Sequence, residues 1–362
     1  MKKEDAKKRV VVAMSGGVDS SVAALLLKQQ GYEVIGISLK LWDYNEEGRT
    51  KSNKTCCSYR DIQDARRVCD RLEIPFYAFS YKKEFEEKVI QTFVSEYTQG
   101  RTPNPCILCN QHIKFDRLLE EAQKLGADYL ATGHYARVTK DEAGSYRLLK
   151  GKDAAKDQSY VLFGLNQEIL KKVLFPIGDY TKDQIRKLAE EFDLPTAHKP
   201  ESQDICFVPD GDYAKFVAKY DTNFSLTPGN FVDQNGTILG RHEGIHAYTV
   251  GQRRGLGVST GERLYVTRID TTKNEIELSP EDATFSESFC ASRINWVVSS
   301  PESLMECGVK VRYQKDEIPA MVEQKAGARA IVRLIKDHRG ITPGQAAVFY
   351  KGDEVLGGGW IE

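Results

Sequence analysis

The chain has 362 residues, 41% hydrophobic and 28% charged, an ordinary balance for a folded protein and enough length for two or three domains. Its 51 basic and 52 acidic residues leave a net charge of −1, which excludes a wholesale attraction to nucleic acid but not a local basic face. No apolar run reaches the length of a membrane span, and Lys2, Lys3, Lys7 and Lys8 lead into a strand-like run without a signal-peptide core, so a cytoplasmic protein with no membrane partner is expected.

Arg9–Met14 is a β-branched run without alternation, the pattern of a strand covered on both faces. After a glycine turn the spacing predicts a helix over Ser20–Gln30, stopped by Gly31. Glu33–Leu39 reads as the second strand, Arg60–Leu72 as a helix ended by Pro75, and Phe76–Ser80 as the third strand. Helices over Glu84–Tyr97 and Ile113–Leu125 and a strand over Asp128–Thr132 follow. This order predicts an α/β fold with a doubly wound, mainly parallel sheet. Tyr135–Lys150 reads as a hairpin turning at Glu142-Ala143-Gly144, and helical patterns return at Ser159–Leu165 and Lys182–Phe192. Past about residue 222, strand patterns at Gly229–Val232, Arg263–Ile269, Glu275–Leu278, Val309–Tyr313, Ala328–Leu334 and Ala346–Tyr350 predict two small β domains with a break near Ser279–Ser286. The expected division is 1–222, 223–282 and 283–362.

Ser15-Gly16-Gly17-Val18-Asp19-Ser20 joins the first strand to the first helix, placing backbone N–H groups and a helix N-terminus at the carboxyl edge of the sheet. Gly16 and Gly17 let the backbone approach an anion, and Ser15, Ser20 and Ser21 offer hydroxyl donors. No lysine follows the glycines, so this is not a Walker A loop, and the spacing is not G-x-G-x-x-G. Asp19 repels phosphate and suits Mg²⁺ instead. The loop resembles the SGGxDS loop of the PP-loop ATP pyrophosphatases. That resemblance implies cleavage of ATP to AMP and pyrophosphate, with Ala13, Met14, Ser15, Gly16, Gly17, Val18, Asp19 and Ser20 at the nucleotide. The plain alternative is a strand–turn–helix connection whose glycines serve geometry alone.

Eight cysteines in a reducing compartment argue against a static disulfide framework. Cys106 and Cys109 make a C-x-x-C pair; Pro103 and Pro105 are expected to keep this stretch out of helix, with Cys109 near the start of the next helix, where thiolate is favoured. Cys206 follows the polar run Lys199–Asp204, which predicts a loop. Cys56, Cys57, Cys69, Cys290 and Cys307 read as packing residues.

Between Val10 and Trp360 the ordered motifs SGGVDS, TPNPCILCNQHIKF (Thr102–Phe115), ATGHYAR (Ala131–Arg137), KDQSY (Lys156–Tyr160), ESQDICF (Glu201–Phe207), GQRRGLG (Gly251–Gly257), Arg312-Tyr313 and TPGQA (Thr342–Ala346) resemble the bacterial-type tRNA-specific 2-thiouridylase family. The resemblance implies adenylation of the C2 oxygen of a wobble uridine and its replacement by sulfur. Cys206 would carry a persulfide and Cys109 act as the nucleophile that ends in a disulfide with it. Leu39 and Gly133 would join the nucleotide site. Asn104, Pro105, Cys106, His134, Lys156, Asp157, Gln158, Arg312, Tyr313 and Gln345 would lie at the tRNA, with Cys106 near the target base. Arg241, Arg253, Arg254 and Lys315 add positive charge. The implied partners are tRNAs for Lys, Glu and Gln and a cysteine desulfurase or sulfur-relay protein.

One departure stands out. Studied members of the family have aspartate, a proposed acid/base group, where this chain has Cys106. Cys106, Cys109 and Cys206 could instead hold an iron–sulfur cluster with one open iron, a reading that stays open beside the persulfide route. Two rivals also remain: a PP-loop ligase acting on a small molecule, and an RNA-binding protein with a structural metal.

Overall fold

Val10, Val11 and Val12 are fully buried, as a strand with cover on both faces requires. They form the middle of β1 (Arg9–Ala13), which pairs in parallel with β2 (Glu33–Lys40). In the computed structural model β2 in turn pairs with β3 (Phe76–Ser80), while β4 (Tyr129–Ala131) lies on the other side of β1 and β7 (Val173–Leu174) beyond it. The hairpin β5 (Ala136–Lys140) and β6 (Tyr146–Lys150) separates β4 from β7 in sequence. All four pairings of the five-stranded sheet are parallel. The chain winds outward through β1, β2 and β3, then returns to the other side of β1. The carboxyl ends of β1 and β4 therefore flank the switch point where ligands bind in such sheets.

The structure describes residues 7–42, 59–201, 205–208, 211–220, 227–301 and 303–362; Cys56, Cys57 and Ser202–Asp204 lie outside them. Two units are formed: Met1–Lys88 with Cys106–Gly211 and Asp353–Val355, and Val89–Pro105 with Asp212–Gly352 and Leu356–Glu362.

In the first unit the helix after β1 spans Val18–Gln29, two residues ahead of the expected start, because Gly17 is its N-cap and the Ser20 and Ser21 hydroxyls fold back onto the Gly17 carbonyl at 3.1 and 2.8 Å. Every residue from Val18 to Leu27 except Asp19 is buried, which explains a helix without a polar face. The larger correction concerns the proline segment. Helix begins at Pro105 and runs without a break through Pro105–Leu108, Cys109–Arg117 and Leu118–Lys124, the middle stretch wound as π-helix. Proline is tolerated at a first helical position, where its missing N–H has no partner to lose.

In the second unit the strands Tyr265–Asp270, Glu275–Ser279, Gly229–Val232 and Ile238–His242 form a four-stranded sheet over Phe231, Ile245, Val266 and Ile276. Six more strands form a ring: Phe285–Trp296, Arg329–Arg339, Ile318–Lys325, Met305–Lys310, Ala346–Lys351 and Glu354–Ile361, the last pairing back with the first. The strand expected over Val309–Tyr313 ends at Lys310, so Arg312 and Tyr313 stand beyond it. A helix over Tyr213–Tyr220 was not legible in the pattern; its Phe216 and Tyr213 pack on Phe93.

Candidate functional site

Gly16 adopts φ +72°, and a Cβ there would fall 2.2 Å from the Asp61 carbonyl of the Tyr59–Arg71 helix, so only glycine fits. A Cβ on Gly133 would lie 2.7 Å from the Ser20 backbone nitrogen. The glycine loop and the turn after β4 are thus pressed together at the switch point. Met14 and Leu39 are buried beneath it, and the Ser15 and Ser20 hydroxyls are 3.1 Å apart. The Ser15 amide donates to the Ser20 hydroxyl at 3.2 Å and the Gly17 amide to the Ser15 hydroxyl at 3.4 Å, so the loop's polar groups gather at the helix N-terminus, a setting suited to an anion.

Asp19, in the first turn of the helix, is held by side chains that the sequence did not single out. The Tyr135 hydroxyl donates to it at 2.7 Å, and Lys182 Nζ lies 2.8 Å from both carboxylate oxygens. Lys182 also pairs with Glu201 at 3.0 Å, and Lys156 donates to Glu201 at 2.7 Å. Burial works against the Glu201 charge, but the hydrogen bonds from Lys156 and Lys182 outweigh it and hold the carboxyl below its ordinary range. Burial, followed by the charge of Asp19, pushes the Tyr135 hydroxyl upward, so it stays a donor. A Mg²⁺ ion at Asp19 fits the carboxylate chemistry but competes with Lys182 for the same oxygens.

The run leading to Cys206 is pinned to this loop. Thr196 donates to the buried Ser21 hydroxyl at 2.9 Å, and Lys199 Nζ reaches Asp61 and Asp64, each at 2.6 Å. Beyond Cys206, Phe207 is buried edge-on against Phe85 with ring centroids 5.5 Å apart. The Lys82–Phe85 turn packs on the Cys109–Arg117 stretch, so Phe85 belongs to an element touching both cysteine segments. Cys109 and Cys206 are half-buried and carry thiols rather than a mutual disulfide, and Cys106 is exposed. Because the helix starts at Pro105, Cys106 and not Cys109 occupies the first turn, where the N-terminal partial charge acts. Among the described residues no group of three His, Cys, Asp or Glu side chains is placed to hold a metal, so Cys106, Cys109 and Cys206 are not gathered as a ligand set.

Several expected tRNA residues are occupied within the fold. His134 is buried against Phe115 and Phe175 and shares a 2.7 Å hydrogen bond with Thr132; burial, then the Lys114 charge, pushes its pKa well down. Asp157 accepts from the Gly151 and Ser159 amides, and Gln158 from the Tyr135 amide. In the second unit Gln345 donates to the Thr102 carbonyl at 2.8 Å while the Thr102 amide donates to Pro343, so TPGQA braces the segment before Pro105. Asn104 is half-buried and Pro105 buried. Arg312 donates to Thr342 and, with Arg253, Lys315, Lys336 and Arg339 against the carboxylates of Asp316, Glu317 and Asp337, lines a cavity of about 800 Å³; Tyr313 is half-buried, and Arg241 and Arg254 are exposed. This basic cavity was legible only as scattered charges.

Residues 8–210 match a tRNA methyl transferase HUP domain, 214–280 a tRNA methyl transferase PRC-barrel domain and 286–361 an aminomethyltransferase beta-barrel domain. The tRNA-specific 2-thiouridylase MnmA of Geotalea uraniireducens is 53% identical, the match covering 100% of this chain and 97% of the relative. Those of Geobacter metallireducens and Carboxydothermus hydrogenoformans are 50% and 51% identical, with coverage of 99% and 98% of this chain and 98% of each relative. With that identity along the whole chain, and with the glycine loop standing at the sheet's switch point, the chain belongs to the tRNA-specific 2-thiouridylase family.

Proposed function

We propose that this chain replaces the C2 oxygen of a wobble uridine in tRNA with sulfur, using ATP. The observation that carries the reading is the attachment of the Cys206 segment to the phosphate loop, through Thr196 and Ser21 and through Glu201, Lys182 and Asp19. The loop cradles the polyphosphate, with Ala13–Ser20, Leu39 and Gly133 around the nucleotide. The uridine O2 attacks the α-phosphorus and pyrophosphate leaves, which turns that oxygen into part of a good leaving group. Asp19 would hold a Mg²⁺ ion, which when bound would supply neutralising charge for the phosphates.

A persulfide on Cys206 then attacks C2 with its terminal sulfur, and AMP departs with the oxygen. The Cys109 thiolate attacks the inner sulfur, forms the Cys109–Cys206 disulfide and leaves the outer sulfur on the base; two external thiols, or one dithiol, return the two electrons and leave as their own disulfide. The sulfur comes from a cysteine desulfurase or a relay protein, and the substrates are tRNAs for Lys, Glu and Gln. Arg312, Tyr313 and the basic cavity receive the tRNA, with Asn104, Pro105 and Cys106 at the target base. Residues 1–222 hold the chemistry, and 223–282 and 283–362 serve the RNA, in the cytoplasm.

The test is thiolation of unmodified tRNA by the purified chain with ATP, cysteine and a desulfurase, read by mass analysis of the nucleosides. Wild type is expected to give 2-thiouridine, AMP and pyrophosphate, and Cys206→Ser and Cys109→Ser no 2-thiouridine. Thiolation that survives Cys206→Ser would end the persulfide assignment.

A further inference from the structure

The described structure places a lysine where the sequence of the glycine loop has none. Lys182 opens the Lys182–Glu191 helix, whose Thr181 cap and Gln184 form a reciprocal capping box. A cation in the first turn of a helix works against the partial positive charge there. The same ammonium stands at the start of the Val18–Gln29 helix, since both oxygens of Asp19 in that first turn are 2.8 Å from it. Its side chain is only 9% exposed, so little water solvates it. Two helix N-termini and a buried ammonium thus converge, balanced by Asp19 and Glu201. Apolar residues in place of the whole cluster would serve stability as well or better, because buried ion pairs often fail to repay their desolvation. The arrangement does suit one occupant, a polyanion. A polyphosphate at Ser15–Ser20 meets backbone N–H groups, hydroxyls and the repelling carboxylate of Asp19, and no cation within the loop itself.

Resting on the reading of this loop as an ATP site, we propose that Lys182 is the cation that binds the β- and γ-phosphates of ATP. On nucleotide arrival it turns from Asp19 to the phosphates and leaves the Asp19 carboxylate to Mg²⁺. Glu201 shares the same ammonium and lies in the ESQDICF motif that carries Cys206, so polyphosphate and the Cys206 segment draw on one charge.

The experiment compares binding of Mg-ATP and of AMP to the full chain and to Lys182→Gln and Lys182→Arg. AMP lacks the β- and γ-phosphates and reports any general damage to the nucleotide pocket. Lys182→Gln is expected to lose about 10- to 100-fold in ATP affinity with AMP affinity held, and Lys182→Arg to keep most of the preference for ATP. An equal loss for both nucleotides, or no loss for ATP, overturns the proposal and leaves a structural lysine. Should Lys182→Gln fail to fold, wild type decides. In protein labelled with ¹³C at lysine Cε, the Lys182 resonance, assigned by its loss in Lys182→Arg, should move on addition of inorganic pyrophosphate. A resonance that pyrophosphate leaves in place overturns the proposal. A chain that shows the ATP-over-AMP pattern but thiolates no tRNA keeps the lysine assignment and ends the proposed function instead.

Discussion

Cys106 shows how one side chain can be read two ways. Its thiol is exposed in the first helical turn after Pro105, the position where a carboxylate gains most from a helix N-terminus. The aspartate expected from the family pattern is therefore at home there. Cys106→Asp should raise stability by about 0.3–1 kcal/mol in a denaturant titration and keep thiolation in the nucleoside assay. Loss of thiolation together with loss of bound iron in an anaerobic preparation would instead make Cys106 a metal ligand. Lys182 could not be read in the same manner, because its meaning comes from Asp19, which is 163 positions away and meets it only when the sheet has wound.

At the level of elements, the parallel sheet was legible because unbroken β-branched runs such as Val10–Val12 have few other uses. The helix carrying Cys109 was misread at its start, because proline is forbidden inside a helix but favoured at its opening, and pattern alone does not separate the two. The TPGQA turn was legible as a motif but not as a brace. Gly344 has φ +88°, and a Cβ on it would stand 2.8 Å from the Thr102 nitrogen and 2.9 Å from the Arg101 Cβ. Gly344→Ala should destabilise the second unit by about 1–3 kcal/mol, seen as a lower denaturant midpoint, through strain at that φ and the clash. A midpoint equal to wild type would mean that the Thr102 segment yields without cost.

Across the whole molecule, burial leaves four histidines with lowered pKa values: His134, His242, His246 and His338. For His242, His246 and His338 burial is the first cause, as it is for His134. The unfolded chain takes up protons near pH 6.5 that the folded chain refuses. Their contribution to stability is complete above about pH 6.5 and is lost as pH falls below it, by up to about 1.4 kcal/mol per pH unit for each group. The melting temperature should therefore drop on acidification from about pH 7 to pH 5. His246→Leu should flatten that slope, since burial lowers the His246 pKa and its Nδ1 has no hydrogen-bond partner among the described residues. An unchanged slope would show that other groups set the acid limit. None of these burials could be foreseen from the sequence, where a histidine looks the same inside or outside.

The ring of six strands closes only because Phe285–Trp296 pairs with Glu354–Ile361, where Ala291 meets Ile361 and Trp296 meets Gly357. A ring has no unpaired edge, and an unpaired edge is what lets one chain add to the sheet of another. Without Leu356–Ile361 the neighbouring strands Ala346–Lys351 and Phe285–Trp296 would each lose a partner, and Phe349 and Ala291 would lose their cover. Leu356–Ile361 therefore keeps the edges of these two strands from taking up a strand of another chain.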